Sequence, residues 1–140
     1  MSHREVVLML AGSLALLLLP ACTGEQPVLA GTSWTLEQDS QYSQTSGLGF
    51  ANVTLEFGAD GSVTGAHAYL KYGGSYITDN DTLSITDVRW TSMACQAETG
   101  LAAQQSYLDA LMTAQSYSID NDRLVIDIAD GEMVFERAQE

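Results

Sequence analysis

The sequence predicts an α+β domain: an antiparallel sheet of about eight short strands, meander or barrel-like, with one amphipathic helix packed on it. Three observations lead there. Short segments alternate apolar and polar residues with the period of two that a half-buried strand requires. Clusters of Asp, Asn and Gly punctuate them, and these residues tolerate the backbone of tight turns. One stretch, residues 98–114, breaks the rhythm: it is rich in Ala, Leu and Gln and has no turn residue after Gly100.

Taken in order, "SWTLE" (33–37) places Trp34 and Leu36 on one face. "NVTLEF" (52–57) alternates cleanly, with Val53, Leu55 and Phe57 inward and Asn52, Thr54 and Glu56 outward. The polar stretch 38–50 between them is long for a connection, hence either mobile or functional. "GADG" turns the chain into "SVTGAHAYL" (62–70), read as a hairpin partner. "GSYIT" and "LSITDVRW" flank "DND", and "SYSID" and "LVIDI" flank "ND". "ADGE" then leads into "MVFE". The helix falls between the fifth and sixth strands. Its expected stripe is Leu101, Leu108, Leu111 and Met112, facing the sheet as core, with Gln104 and Asp109 facing away.

The start of the chain reads as an export signal. Arg4 is the cation of the n-region, and Val6–Leu19 is an apolar-to-small run of about 14 residues, within the usual h-region length. A bilayer span needs about 20 apolar residues, so the run is too short for a transmembrane helix. Leu19-Pro20-Ala21-Cys22 resembles the bacterial lipobox. Residues 1–21 are therefore read as a lipoprotein signal peptide, Cys22 as the lipidated residue, 22–30 as a lipid-bearing tether and 31–137 as the domain. The alternative is ordinary cleavage near Ala21, which leaves Cys22 as a thiol. Two or more acyl chains anchor stably where one does not. Thr23, not Asp, follows the cysteine; by resemblance to Gram-negative lipoproteins, this favours the outer membrane, facing the periplasm. The expected address is the bacterial cell envelope, with the N-terminal lipid as the membrane contact.

Charge excludes other partners. The chain carries 18 acidic and 5 basic residues, a net charge of −13. Beyond the signal the cations are Lys71, Arg89, Arg123 and Arg137. Nucleic-acid binding and polybasic attachment to anionic lipid both need clustered Lys and Arg, so neither is expected. Spread acidity is self-repelling and fits a soluble monomer.

Candidate chemistry is sparse. His67 is the single histidine after the signal and lies in a predicted strand, where a satisfied ring is the expected role. No Gly-x-Ser-x-Gly elbow presents a nucleophile, and one His with one Cys does not make a zinc site. The acidic turns 79–81, 120–122 and 130–132 lack the spacing of an EF-hand loop and read as left-handed turn positions. No carboxylate pair stands out for glycoside hydrolysis. No catalytic residue, metal or cofactor is implied. Cys95, at a strand–helix corner, is expected to be a reduced, buried thiol. Its rival role, a reactive thiol, would need Arg89 or the helix start to lower its pKa.

Several segments together match one pattern: "LAGTSWTLEQ", "VTLEFGADGSVTG", "GGSYITDNDTLSI", "TSMAC", "YLDAL" and "SYSIDNDRLVI…DGEMVFE". In order and spacing they resemble the META/HslJ domain over about residues 28–137. The resemblance implies a small α+β domain in secreted or lipid-anchored envelope proteins, with associations to heat shock and to envelope or antibiotic stress. The family's biochemical activity is not established. The family-motif positions here are Gly31, Trp34, Gly65, Gly74, Tyr76, Met93 and Cys95, read as structural. Family members commonly carry a Cys-Asn pair ahead of the Thr-x-Met-Ala-Cys stretch; Tyr69 and Leu70 stand there instead, so Cys95 lacks that partner. "GTSW" is also similar to the Gly-x-Trp opening of calycin barrels, which implies a small apolar ligand or protease inhibition. The resulting expectation is a non-catalytic binding or interaction module for an envelope protein or small ligand, with a hydrolase as the distant rival.

Overall fold

The computed structural model describes residues 28–38, 42, 44–45, 49–50, 52–67, 70–92 and 98–139. Ten strands and one helix are placed among them. Eight strands close into an antiparallel barrel: β1 (Thr32–Leu36), β4 (Val53–Phe57), β5 (Ser62–His67), β6 (Leu70–Asp79), β7 (Thr82–Ser92), β8 (Ser116–Asp120), β9 (Arg123–Ile128) and β10 (Gly131–Arg137). The remaining two, β2 (Gln44–Thr45) and β3 (Gly49–Phe50), pair in a small ribbon of their own. From β4 to β10 each barrel strand pairs with the next in sequence, as the meander reading expects. β1 completes the ring by lying between β4 and β10, Trp34 opposite both Leu55 and Arg137.

The period-two pattern works as read. Trp34, Leu36, Val53, Leu55, Phe57, Val63, Leu70, Leu124, Ile126, Met133 and Phe135 all point inward and are buried. Each such side chain contributes on the order of 1.5–3 kcal/mol on leaving water. The barrel interior is thus filled by side chains, as small eight-stranded barrels can be. The acidic turns are hairpin turns. Asn80 and Asn121, each with φ 54°, occupy the left-handed region. Asn tolerates that region better than most residues.

Three details depart from the sequence reading. "SVTGAHAYL" is not one strand: β5 ends at His67 and β6 begins at Leu70. β6 starts four residues ahead of "GSYIT", so Gly73 lies inside this ten-residue strand and not before it. There Gly73 opposes Arg89 while Ser75 opposes Thr86, so Gly74 faces two β7 residues across a β-bulge. A Cβ on Gly74 would come within 2.7 Å of the Thr86 carbonyl.

The helix, α1 (Glu98–Leu111), is also shorter than 98–114, and its buried face differs. Gln104 is inside, at 1% exposure, and Met112, past the helix end, is 39% exposed. The inward face is Gln104, Tyr107, Leu108 and Leu111, an i, i+3, i+4, i+7 series. Met112 is rotated off it. Thr113 Oγ1 closes the helix end by donating to the Ala110 carbonyl, and it accepts from the Ala129 amide in the β9–β10 turn. No described helix is long and apolar enough to cross a membrane.

Candidate functional site

The polar chemistry of the domain converges where α1 meets β5 and β6. Strand alternation turns His67 and Tyr72 inward, and the helix face turns Tyr107 and Gln104 to the same interior. Tyr107 holds the group together. Its ring lies 5.4 Å from the His67 ring and 5.7 Å from the Tyr72 ring, the latter edge-on, and its hydroxyl is 2.8 Å from the Tyr72 hydroxyl.

Hydrogen-bond accounting fixes the protons. Tyr72 donates to the Thr54 carbonyl at 2.5 Å, so the bond between the two hydroxyls must be donated by Tyr107. The His67 Nε2 lies 2.8 Å from the Tyr42 carbonyl. A carbonyl can only accept, so Nε2 carries the hydrogen. Nδ1 is then a bare acceptor, buried and without a partner among the described residues, as is Gln104 Oε1.

Burial sets the electrostatics. Loss of water pushes the His67 pKa down, and the bond to the Tyr42 carbonyl only partly opposes this. Burial raises Tyr72 well above the ordinary phenol value, and the neighbouring Tyr107 raises it further. Burial raises Tyr107 as well. The cluster is therefore neutral at physiological pH. It is a set of matched donors and acceptors inside the core, with none of the exposure a general base needs to reach a substrate.

The glycine of β5 makes this arrangement possible. A Cβ on Gly65 would collide with the Thr54 carbonyl and the Tyr72 hydroxyl, so only Gly lets that phenol cross to its acceptor. The other family-motif positions are scaffold in the same sense. Gly31 sits at φ 77° where its amide reaches the Phe57 carbonyl. Trp34 is fully buried, donates to Thr32 Oγ1 at 2.7 Å, and lies under the Arg137 guanidinium at 4.5 Å. Tyr76 donates to the Gly58 carbonyl at 2.7 Å and packs edge-on against Phe57. Leu70, at the position where the family commonly has Asn, is fully buried. Cys22, Tyr69, Met93 and Cys95 lie outside the described residues.

On the surface, a cleft of about 490 Å³ is lined in part by Glu37, Asp122, Arg123, Glu136 and Arg137. Two ion pairs lie in it, Arg137–Asp122 at 3.2 Å and Arg123–Glu37 at 3.8 Å. Solvent-exposed pairs of this kind contribute about 0–1 kcal/mol. Among the described residues no group of three or more His, Cys, Asp or Glu is placed to hold a metal ion.

Tyr72 and Tyr107 escaped the sequence reading as site residues, and Gln104, read as facing away, is buried. The signal for the helix pair was present: Gln104, Tyr107, Leu108 and Leu111 share one face by spacing, but a glutamine reads as solvent-facing by type. Nothing local pairs Tyr72 with a residue 35 positions away.

The META domain family matches residues 27–140. A comparison with curated protein sequences returned no match. Among solved structures, a protein from Burkholderia xenovorans determined by NMR is 23% identical, with a TM-score of 0.63 over 80% of this chain and 85% of that one. A DUF4847 family protein from Bacteroides vulgatus is 15% identical, with a TM-score of 0.56 over 81% of this chain and 96% of that one. Both likenesses are of fold.

Proposed function

Since the chain belongs to the META domain family, we propose that it is a lipid-anchored protein of the bacterial envelope whose domain works by binding, without catalysis. One contrast carries the binding reading. The groups with chemical potential, His67, Tyr72 and Tyr107, are buried and bonded inward, whereas Ile77 (70% exposed) stands apolar on the outer face and Trp90, on the face it shares with Tyr72, keeps 42% exposure. An exposed aromatic is the kind of residue that anchors a protein contact. The filled barrel interior favours a surface partner over a calycin-type ligand in the lumen.

Anchoring rests on the sequence Leu19-Pro20-Ala21-Cys22 directly after the apolar run. Among the described residues, the first buried one is Leu29. At roughly 3.3–3.6 Å per residue, the tether holds the domain within about 30 Å of the bilayer. That reach is too short for partners far from the membrane, so the main targets belong at the outer-membrane surface under envelope stress.

Two measurements test this. Wild type is expected to fractionate with membranes and Cys22→Ser is not; equal partition of the two overturns the anchor. Activity-based probes for serine and cysteine hydrolases are expected to leave the protein unlabelled. Specific labelling abolished by a single Ser→Ala or by Cys95→Ala overturns the non-catalytic reading.

A further inference from the structure

The barrel is thinly closed on one side. β7 meets β8 at the single pair Thr82↔Ser116, flanked by backbone bonds from Leu83 to the Gln115 carbonyl and from Tyr117 to the Asp81 carbonyl. Beyond Leu83, β7 runs on to Ser92, and no described strand lies along that outer edge. The Leu83 amide points outward, so by strand alternation the Ile85 amide does too. A row of free backbone groups on an edge strand is a template for another extended chain.

Charge narrows the occupant. Lys71 opposes Thr91 and Arg89 opposes Gly73. The two cations are thus diagonal neighbours on the outer face of β6 and β7, roughly 7–8 Å apart. Both are exposed, and neither takes part in the ion pairs that hold Arg123 and Arg137. In a chain of net charge −13, half of the four cations beyond the signal stand together with no carboxylate partner among the described residues. Trp90, 42% exposed, sits between Arg89 and Thr91 on the same edge strand but on its other face, opposite Tyr72. Asp87, also exposed, disfavours an acid near the bulge, so the complementary charges belong toward the Arg89 end.

We propose that the outer edge of β7, from Ser84 to Thr91, docks an extended acidic peptide segment of a partner protein, which adds a strand to β7 and sets its carboxylates against Lys71 and Arg89. A backbone edge is satisfied by another backbone, which a lipid headgroup lacks. Placement agrees. The chain enters the domain at Val28 and Leu29, beside Thr78 and Asn80. That is the far end of β6 from Lys71, about 23 Å along the strand at about 3.3 Å per residue.

The proposal deepens the binding-module reading and rests on it, yet the two fail separately: probe labelling overturns that reading, and loss of peptide selectivity overturns this surface. The full mature lipoprotein in neutral detergent is titrated with a capped peptide, Thr-Glu-Val-Glu-Val-Glu-Thr, and with its Lys-for-Glu counterpart. The acidic peptide is expected to bind, to weaken as added salt shortens the Debye length below about 8 Å, and to slow exchange of the Ile85 amide. Lys71→Glu with Arg89→Glu is expected to weaken it on the order of tenfold or more while the thermal midpoint stays near wild type. Equal binding of the two peptides, no saturable binding, or protection mapped away from β7 overturns the proposal. So does binding of the Cys22→Ser chain to phosphatidylglycerol vesicles that depends on Lys71 and Arg89 while the peptide is ignored.

Discussion

The Tyr72 hydroxyl accepts from Tyr107 across 2.8 Å and passes its own hydrogen to the Thr54 carbonyl, joining helix α1, β6 and β4 in one relay. The two phenols are not equivalent in it. Tyr107→Phe removes one donor and leaves Tyr72 its bond to Thr54, which is expected to cost about 0.5–1.5 kcal/mol. Tyr72→Phe strands the fully buried Tyr107 hydroxyl and takes a donor from the carbonyl, an expected cost nearer to about 2–3 kcal/mol. Denaturant unfolding of both single variants and the double checks the order. The double is expected to cost less than the sum, because the second substitution removes a group the first has already orphaned.

His67 makes stability depend on pH in a window where no other side chain of the domain ordinarily titrates. Burial lowers its folded pKa below the ordinary histidine value, so the unfolded chain binds the proton more readily. The stabilising contribution is complete above about pH 6.5 and is lost as pH falls from there toward the lowered folded value, with a slope of at most about 1.4 kcal/mol per pH unit. Carboxylates titrate near about pH 4 and lie below this range. His67→Gln, which keeps a donor for the Tyr42 carbonyl, is expected to flatten the slope. Midpoints measured between about pH 7 and about pH 5 decide it.

Gln104 is expected to be a liability to stability. Its Oε1 is buried with no donor among the described residues. Such a state costs about 1–3 kcal/mol, and replacing the group by an apolar one of similar shape recovers part of it. Gln104→Met is therefore expected to raise the unfolding midpoint. A lower midpoint would mean that the carbonyl has a hydrogen-bonding guest in the folded protein.

Asp87 sits at φ 57° within β7, opposite Gly74 at the bulge. Left-handed backbone costs an L-residue about 1–2 kcal/mol, less for Asp, which can hydrogen-bond locally. Asp87→Gly is expected to stabilise by at most about 0.5 kcal/mol after the entropy of the added glycine is counted. Asp87→Ala is expected to destabilise by a similar amount. The opposite signs separate backbone strain from loss of the carboxylate.

Local chemistry alone determined much of this protein. The number of barrel strands, the inward parity of Trp34, Leu55 and Phe57, the left-handed turns at Asn80 and Asn121, and the position of the one helix were legible. A period of two, a turn residue and an unbroken helical run are each written within a few neighbouring residues. Only the tertiary structure decided how the ring closes through β1, where the bulge at Gly74 falls, and that Gln104 goes in while Met112 stays out. It alone placed His67 beneath the carbonyl of Tyr42 and Tyr72 against Tyr107. Those contacts join residues 25 and 35 positions apart, and their partners are set by strand register and by where the helix docks. A side chain's polarity fixes what it needs once buried; the register of distant strands fixes whether it is buried and what it meets.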